Sequence, residues 1–325
     1  MVPSLSVDVM HSKACEGRGA GWGALVGAMC GDAAGAVLEF GGLPNAAAVE
    51  RAMDMPGGGT HSVAPGQCTD DTELMLALVQ AIRSLPADGT AVADGLADAS
   101  ARSYQEWHAS MPFDLGMTCG RAFGFHQPDV TAAAMSKRAA ELCSFSEANG
   151  ALMRVAPIAV HFAIHVPSAT LDDVAEHARR DAQLSHPSAA CQDCNALFCA
   201  AIAALVRDPD TCAERRSLRA LAEVRRLAST CDAKVRAWLA DALVMTTEAL
   251  ATSDVEQNCG HVRHAFTLSL AALNLGIDYP TALRATLLRG GDTDTNAAIA
   301  GWRGTPRYRT SCHGGQGARV RLRCA

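Results

Sequence analysis

Apolar residues in this chain recur at helical spacing over most of its length. In "TELMLALVQAI", Leu74, Leu78, Val79 and Ile82 fall at i, i+4, i+5 and i+8 and so share one face. The same period predicts helices over 21–36, 72–84, 91–109, 129–142, 152–164, 171–184, 188–206, 212–227, 232–251, 261–275, 279–288 and 295–300. Alternating β-branched runs are few. The connectors carry helix breakers, as in "MPGGGTHSVAPG", "SLPADG", "HVP" and "RDPD". The pattern predicts an all-α protein, a compact single-domain bundle of roughly a dozen helices over residues 19–301, with tails at 1–18 and 302–325.

Composition sharpens this picture. The chain has 325 residues, of which 49% are hydrophobic and only 5% aromatic. A core built mainly from Ala and Leu packs small residues closely, which suits helices better than sheets. No run of about 18 uncharged apolar residues predicts a membrane span, and the first residues lack an apolar signal region. Thirteen cysteines without a repeating spacing read as reduced thiols, so the expected location is the cytoplasm. Cys191 and Cys194 form the one CxxC, which on a helix reads as incidental. A net charge of −6 predicts no nucleic-acid partner. The charge is uneven, because six arginines and no acid lie within 302–325.

Two acidic clusters carry candidate chemistry. In "CTDDTELML", Asp70 and Asp71 precede an apolar helix. Asp70 with Glu73 three residues later fits a capping box, although a cap needs only one carboxylate. "RGGDTDTNAAIAG" repeats the grammar, with Asp292 and Asp294 interleaved with Thr293 and Thr295. An EF-hand loop is excluded there, since Ala297 stands where the turn needs Gly and Arg303 where a bidentate Glu belongs. If both helix ends converge, four carboxylates share one pocket, and cations must offset their repulsion. Oxygen ligands alone predict Mg²⁺, Mn²⁺ or Ca²⁺ rather than zinc. A third acid, Glu39, ends "GALVGAMCGDAAGAVLEF", where Gly23, Gly27, Gly31 and Gly35 leave one helix face bare for close approach by another helix. Taken alone, Glu39 also fits an exposed helix-end acid.

With these residues assembled, the chain resembles the ADP-ribosylglycohydrolase family from about Gly21 to Gly301. The resemblance rests on "GALVGAMCGDAAGAVLEF", "GQCTDDTELMLAL", "WHASMPFDLGMTC", "NGALMRVAPIAV", "LSHPSAAC", "VRHAFTLSLAAL" and "LRGGDTDTNAAIAG", in the family's order. It implies an orthogonal helical bundle around a central dinuclear site holding two Mg²⁺ (or Mn²⁺) ions. Thr69, Asp70, Asp71, Asp292, Asp294 and Thr295 would be the metal ligands. Glu39, Asp71 and Asp292 would form the catalytic set, with Glu39 on a mobile loop helping to activate water. Asp114, Ser146, Asn149, Gly150 and His186 would bind substrate. His186 also fits a helix cap. Arg154 fits either a core ion pair or a substrate contact.

The implied activity is metal-dependent hydrolysis of the glycosidic bond between ADP-ribose and a protein side chain or another conjugate, by a monomer. Arginine, serine, nucleic-acid-base and small-molecule linkages all fit these motifs. A catalytically weak or inactive ADP-ribose-binding protein of the same fold is the alternative, and two-metal cleavage of the diphosphate is a further one. Two departures from the family pattern stand out. Glu147 puts a negative charge in the loop expected around the diphosphate. After Gly301 the small-residue pattern gives way to the Arg/Gly-rich tail, which predicts weaker metal binding or lower thermal stability.

Overall fold

The computed structural model describes residues 15–86, 89–208, 210, 212–252 and 259–302. Among these, the helical period becomes fifteen helices: α1 Cys15–Gly35, α2 Ala46–Ala52, α3 Asp70–Ser84, α4 Gly89–Ala109, α5 Met117–Phe123, α6 Ala132–Cys143, α7 Ala156–His165, α8 Leu171–Gln183, α9 Ala189–Arg207, α10 Ala213–Ala228, α11 Ala233–Val244, α12 Thr247–Thr252, α13 Val262–Leu275, α14 Tyr279–Leu287 and α15 Thr293–Gly301. The described residues contain no strand, only the isolated bridges Gly58–Val63 and Ala148–His261.

The all-α class is as the pattern predicts, and the differences are local. Helices α2 and α5 have seven residues each, too short for two turns of periodicity to register. The segment 232–251 divides into α11 and α12 at Met245, whose backbone is extended. Helix α7 starts at Ala156 rather than 152 because Pro157 occupies its first turn, where a missing N–H costs nothing. Helix α6 starts at Ala132, where the Thr131 side chain caps Ala134 N.

Helix α9 runs through the centre, packed by α8, α10, α7, α1 and α13. It is long and apolar enough to cross a membrane, yet most of it is buried inside the protein, as in a core helix. Phe198 near its middle meets the Trp302 ring edge-on at 5.5 Å. Trp302 is buried, and its Nε1 donates to Ser269 Oγ at 2.6 Å. The first residue assigned to the C-terminal tail therefore belongs to the core. Residues 303–325, which carry the rest of that expectation, lie outside the described residues, as do residues 1–14 of the N-terminal one.

The glycine face of α1 packs on α15, one of the two most extensive helix pairs. A methyl at Gly31 would collide with the Ala297 carbonyl, and one at Gly35 with the Asp294 backbone. Bare backbone thus brings α15 close enough to set its first turn beside the end of α1. A smaller apolar cluster joins Ala34 of α1 and Ala297 of α15 to Leu38, Val49, Leu283 and Leu287.

Candidate metal centre

The first turns of α3 and α15 meet in the interior. The capping expected within "CTDDTELML" takes another form. Thr69 is the N-cap residue without a side-chain cap bond, and Asp70 is already helical. Glu73 forms no capping box; it accepts from Trp107 Nε1 at 2.9 Å. The cap comes from α1 instead. Asp32 accepts from Thr69 N at 3.0 Å, Thr72 N at 3.1 Å and Thr69 Oγ1 at 3.0 Å. Capping from another helix frees Asp70 and Asp71 to point elsewhere. Asp292 likewise precedes α15 without capping it.

The freed carboxylates gather. Thr69 Oγ1 lies 3.2 Å from Asp71 Oδ2 and 3.4 Å from Asp294 Oδ2, and Thr295 Oγ1 lies 3.3 Å from Asp71 Oδ2. One oxygen each from Asp32, Asp71 and Asp294 falls within 4.8 Å of the other two, and the same holds for Glu39, Asp292 and Asp294. Asp294 belongs to both groups and so joins them. Asp70 sits at the edge, accepting from Gly116 N at 3.1 Å.

Among the described residues, no Lys or Arg forms an ion pair with any of these acids. Burial and mutual repulsion therefore outweigh the hydrogen bonds that Asp32 and Asp70 accept. Burial first, then the Asp114 and Asp292 charges, push Glu39 up to about 8. Burial and Asp114 push Asp70 up to about 8. Burial holds Asp71 and Asp294 well above the usual carboxylate range, and raises Asp32 to about 6. Asp71 Oδ1 and Glu39 Oε2 are buried without a hydrogen-bond donor. Unsatisfied buried oxygens in a set made of carboxylates and hydroxyls suit hard divalent cations.

The residues expected to bind substrate are placed less uniformly. Asp114 is partly exposed beside Glu39 and Asp70, and burial raises its pKa. Asn149 is buried, and its Nδ2 donates to Asp292 Oδ2 at 2.8 Å, so it orients a candidate ligand. Ser146 Oγ is within 2.9 Å of Thr118 Oγ1. His186 is fully buried, with Nδ1 paired to Ser185 Oγ at 2.8 Å and its ring under Gly150. Burial pushes its pKa down to about 3, and Nε2 is left unpartnered.

Arg154 resolves to the core reading. It is fully buried, pairs with Asp181 at 3.1 Å, and donates to Gly150 O at 3.0 Å and Ser185 Oγ at 2.8 Å. The Glu147 charge is met by Lys234 Nζ at 2.7 Å and approached by His261 Nε2 at 3.2 Å. The loop itself is tied to the start of α13, since Asn149 N donates to Gly260 O and Val262 N to Glu147 O.

Two residues of this region were not singled out by the sequence. Asp32 has a visible signal, an acid within the glycine face of α1. His61, 3.2 Å from Glu39, has none, because only the folding of the 55–66 loop brings it there.

The fold and this acidic centre define a class. Residues 19–302 match the model of ADP-ribosylglycohydrolases, and the chain belongs to that family. It is 26% identical over 292 residues to a protein of Acanthamoeba polyphaga mimivirus provisionally named an ADP-ribosyl glycohydrolase, covering 86% of this chain and 83% of that one. Over 145 residues it is 38% identical to the ADP-ribosyl-[dinitrogen reductase] glycohydrolase of Rhodospirillum rubrum, covering 42% and 43% of the two chains. The fold is shared with a solved ADP-ribosylglycohydrolase-related protein complex at a TM-score of 0.65 and 22% identity, over 89% of this chain and 87% of that one.

Proposed function

We propose that this protein is a divalent-metal-dependent hydrolase that cleaves the glycosidic bond joining ADP-ribose to a protein side chain, acting as a cytoplasmic monomer through one catalytic domain at 19–301. The observation that carries this reading is the convergence of buried carboxylates from α1, α3 and α15, without a Lys or Arg partner among the described residues, in a chain of this family. The R. rubrum relative is named for removing ADP-ribose from a protein, which favours a protein-linked substrate.

In this reading Thr69, Asp70, Asp71, Asp292, Asp294 and Thr295 hold two Mg²⁺ (or Mn²⁺) ions, with Asp71 and Asp292 closest to the chemistry. Bound there, the ions supply Lewis acidity and lower the pKa of a water. Glu39 has the role of moving a proton: it is buried, its Oε2 takes no hydrogen bond from the protein, and its carboxylate lies with Asp292 and Asp294. Asp114, at the partly exposed edge, faces a sugar hydroxyl. Ser146, Asn149 and Gly150 present the loop to the diphosphate, and His186 supports it from beneath. Pairing of Glu147 with Lys234 removes much of the repulsion that an unpaired acid would exert on an anionic ligand. Asp32 acts earlier in the chain of causes, fixing the first turn of α3.

The test follows free ADP-ribose released from arginine- and serine-linked ADP-ribosylated proteins, with Mg²⁺ or Mn²⁺ and with chelator. Metal-dependent release that disappears in Asp292→Asn is expected. Binding of ADP-ribose without turnover, or release of AMP, would overturn the reading.

A further inference from the structure

Beside the all-oxygen centre lies a second group of donors, drawn from three loops. Glu39 follows α1, His61 lies between α2 and α3, and Asp114 lies between α4 and α5. His61 Nε2 is 3.2 Å from Glu39 Oε2 and 3.9 Å from Asp114 Oδ2. One donor atom from each of the three lies within 4.8 Å of the other two. Phe113 meets the imidazole edge-on at 6.2 Å, and Thr60 Oγ1 donates to Glu39 O at 2.7 Å, which ties the His61 loop to the Glu39 backbone. The Glu39 side chain is 6% exposed, and its Oε2 takes no hydrogen bond although it faces His61. His61 is 26% exposed, so the group opens toward solvent.

We propose that Glu39, His61 and Asp114 form an inhibitory site for a borderline divalent cation such as Zn²⁺, adjoining the all-oxygen centre through Glu39, and that its occupation withdraws Glu39 from proton transfer. The inference rests on the glycohydrolase reading for its consequence, but not for the site. The donor chemistry separates the two centres. An imidazole with two carboxylates suits Zn²⁺, whereas Mg²⁺ prefers the all-oxygen set next to it. Zinc bonds of about 2.1 Å in tetrahedral geometry put donor atoms about 3.4 Å apart. The present separations of 3.2 and 3.9 Å reach that with small side-chain adjustments. Glu39 is shared, since its carboxylate also belongs with Asp292 and Asp294. A zinc ion that claims it therefore competes with the chemistry without displacing the Mg²⁺ ligands.

The experiment uses the full chain at saturating Mg²⁺. Zn²⁺ is titrated against ADP-ribose release, and Co²⁺ is titrated separately while its visible absorption is recorded. Wild-type protein is expected to show zinc inhibition and a cobalt band. In His61→Ala and His61→Gln the half-inhibitory zinc concentration should rise about 10-fold or more, with the band lost and the melting temperature kept. Equal zinc curves in wild type and variants, no cobalt band in wild type, or a band that persists without His61 would overturn the proposal. The cobalt arm needs no turnover, so failure of the glycohydrolase reading is distinguishable from failure of this site.

Discussion

Asn149 donates from Nδ2 to Asp292 Oδ2 at 2.8 Å, across 143 residues of chain. The bond fixes one oxygen of a carboxylate that belongs to the acidic centre and leaves the other oxygen to it. Asn149→Ala should leave the fold intact and weaken metal-dependent activity by about 10- to 100-fold, as loss of an orienting partner does. A magnesium titration of activity, with circular dichroism as the folding control, checks this. Unchanged magnesium dependence would mean that Asp292 needs no orientation.

Glu39 and Asp70 bind protons up to about pH 8 in the folded protein, against ordinary values of 4.5 and 3.8. Between those limits the folded, metal-free protein carries more protons than the unfolded chain. The stability these groups contribute is complete below about pH 4 and is lost as pH rises through 8. In chelator, the melting temperature should fall steadily from pH 5 to pH 8, and Mg²⁺ should flatten the profile. A flat profile without metal would show that the carboxylates do not repel one another as their burial implies.

Gly35 bears directly on the geometry of the acidic centre. A methyl there collides with the Asp294 backbone, so Gly35→Ala must push back the first turn of α15. The cost should be about 1–3 kcal/mol in unfolding free energy, with a matching loss of magnesium affinity. Urea denaturation and calorimetric metal titration read the two effects. Loss of stability with normal metal affinity would separate the packing from the site.

Arg154→Met leaves the buried Asp181 charge unmatched and removes the donor to Gly150 O. About 3–5 kcal/mol of stability should disappear. Arg154→Lys should not restore it, because a single ammonium cannot reach Asp181, Ser185 and Gly150 together. Urea midpoints of the two variants test this.

Much of the fold was legible because its causes are local. The periodic apolar faces of α3, α9 and α13 and the breakers between them are written in consecutive residues. The glycine spacing of α1 even announced a close helix partner. Both Asp/Thr clusters were visible for the same reason. What stayed hidden depends on residues distant in sequence. Asp32 as the cap of α3, Asn149 on Asp292, and His61 beside Glu39 each need loops to fold back before the contact exists. Glu73 shows the converse. A local rule favoured a capping box, but a buried Trp107 indole with a donor to satisfy claimed the carboxylate first.

The interlock of α1 with α15 also sets an order of events during synthesis. Thr293 Oγ1 closes on Gly35 O across 258 residues. At about 5–20 residues per second, the glycine face of α1 waits roughly 13 to 50 s for its partner to be made. Through that interval Asp32, Asp70 and Asp71 lack the helix that completes their pocket. The acidic centre is thus among the last parts of the molecule to assemble, and a nascent chain carries a bare helix face for chaperones to cover while the ribosome works toward α15.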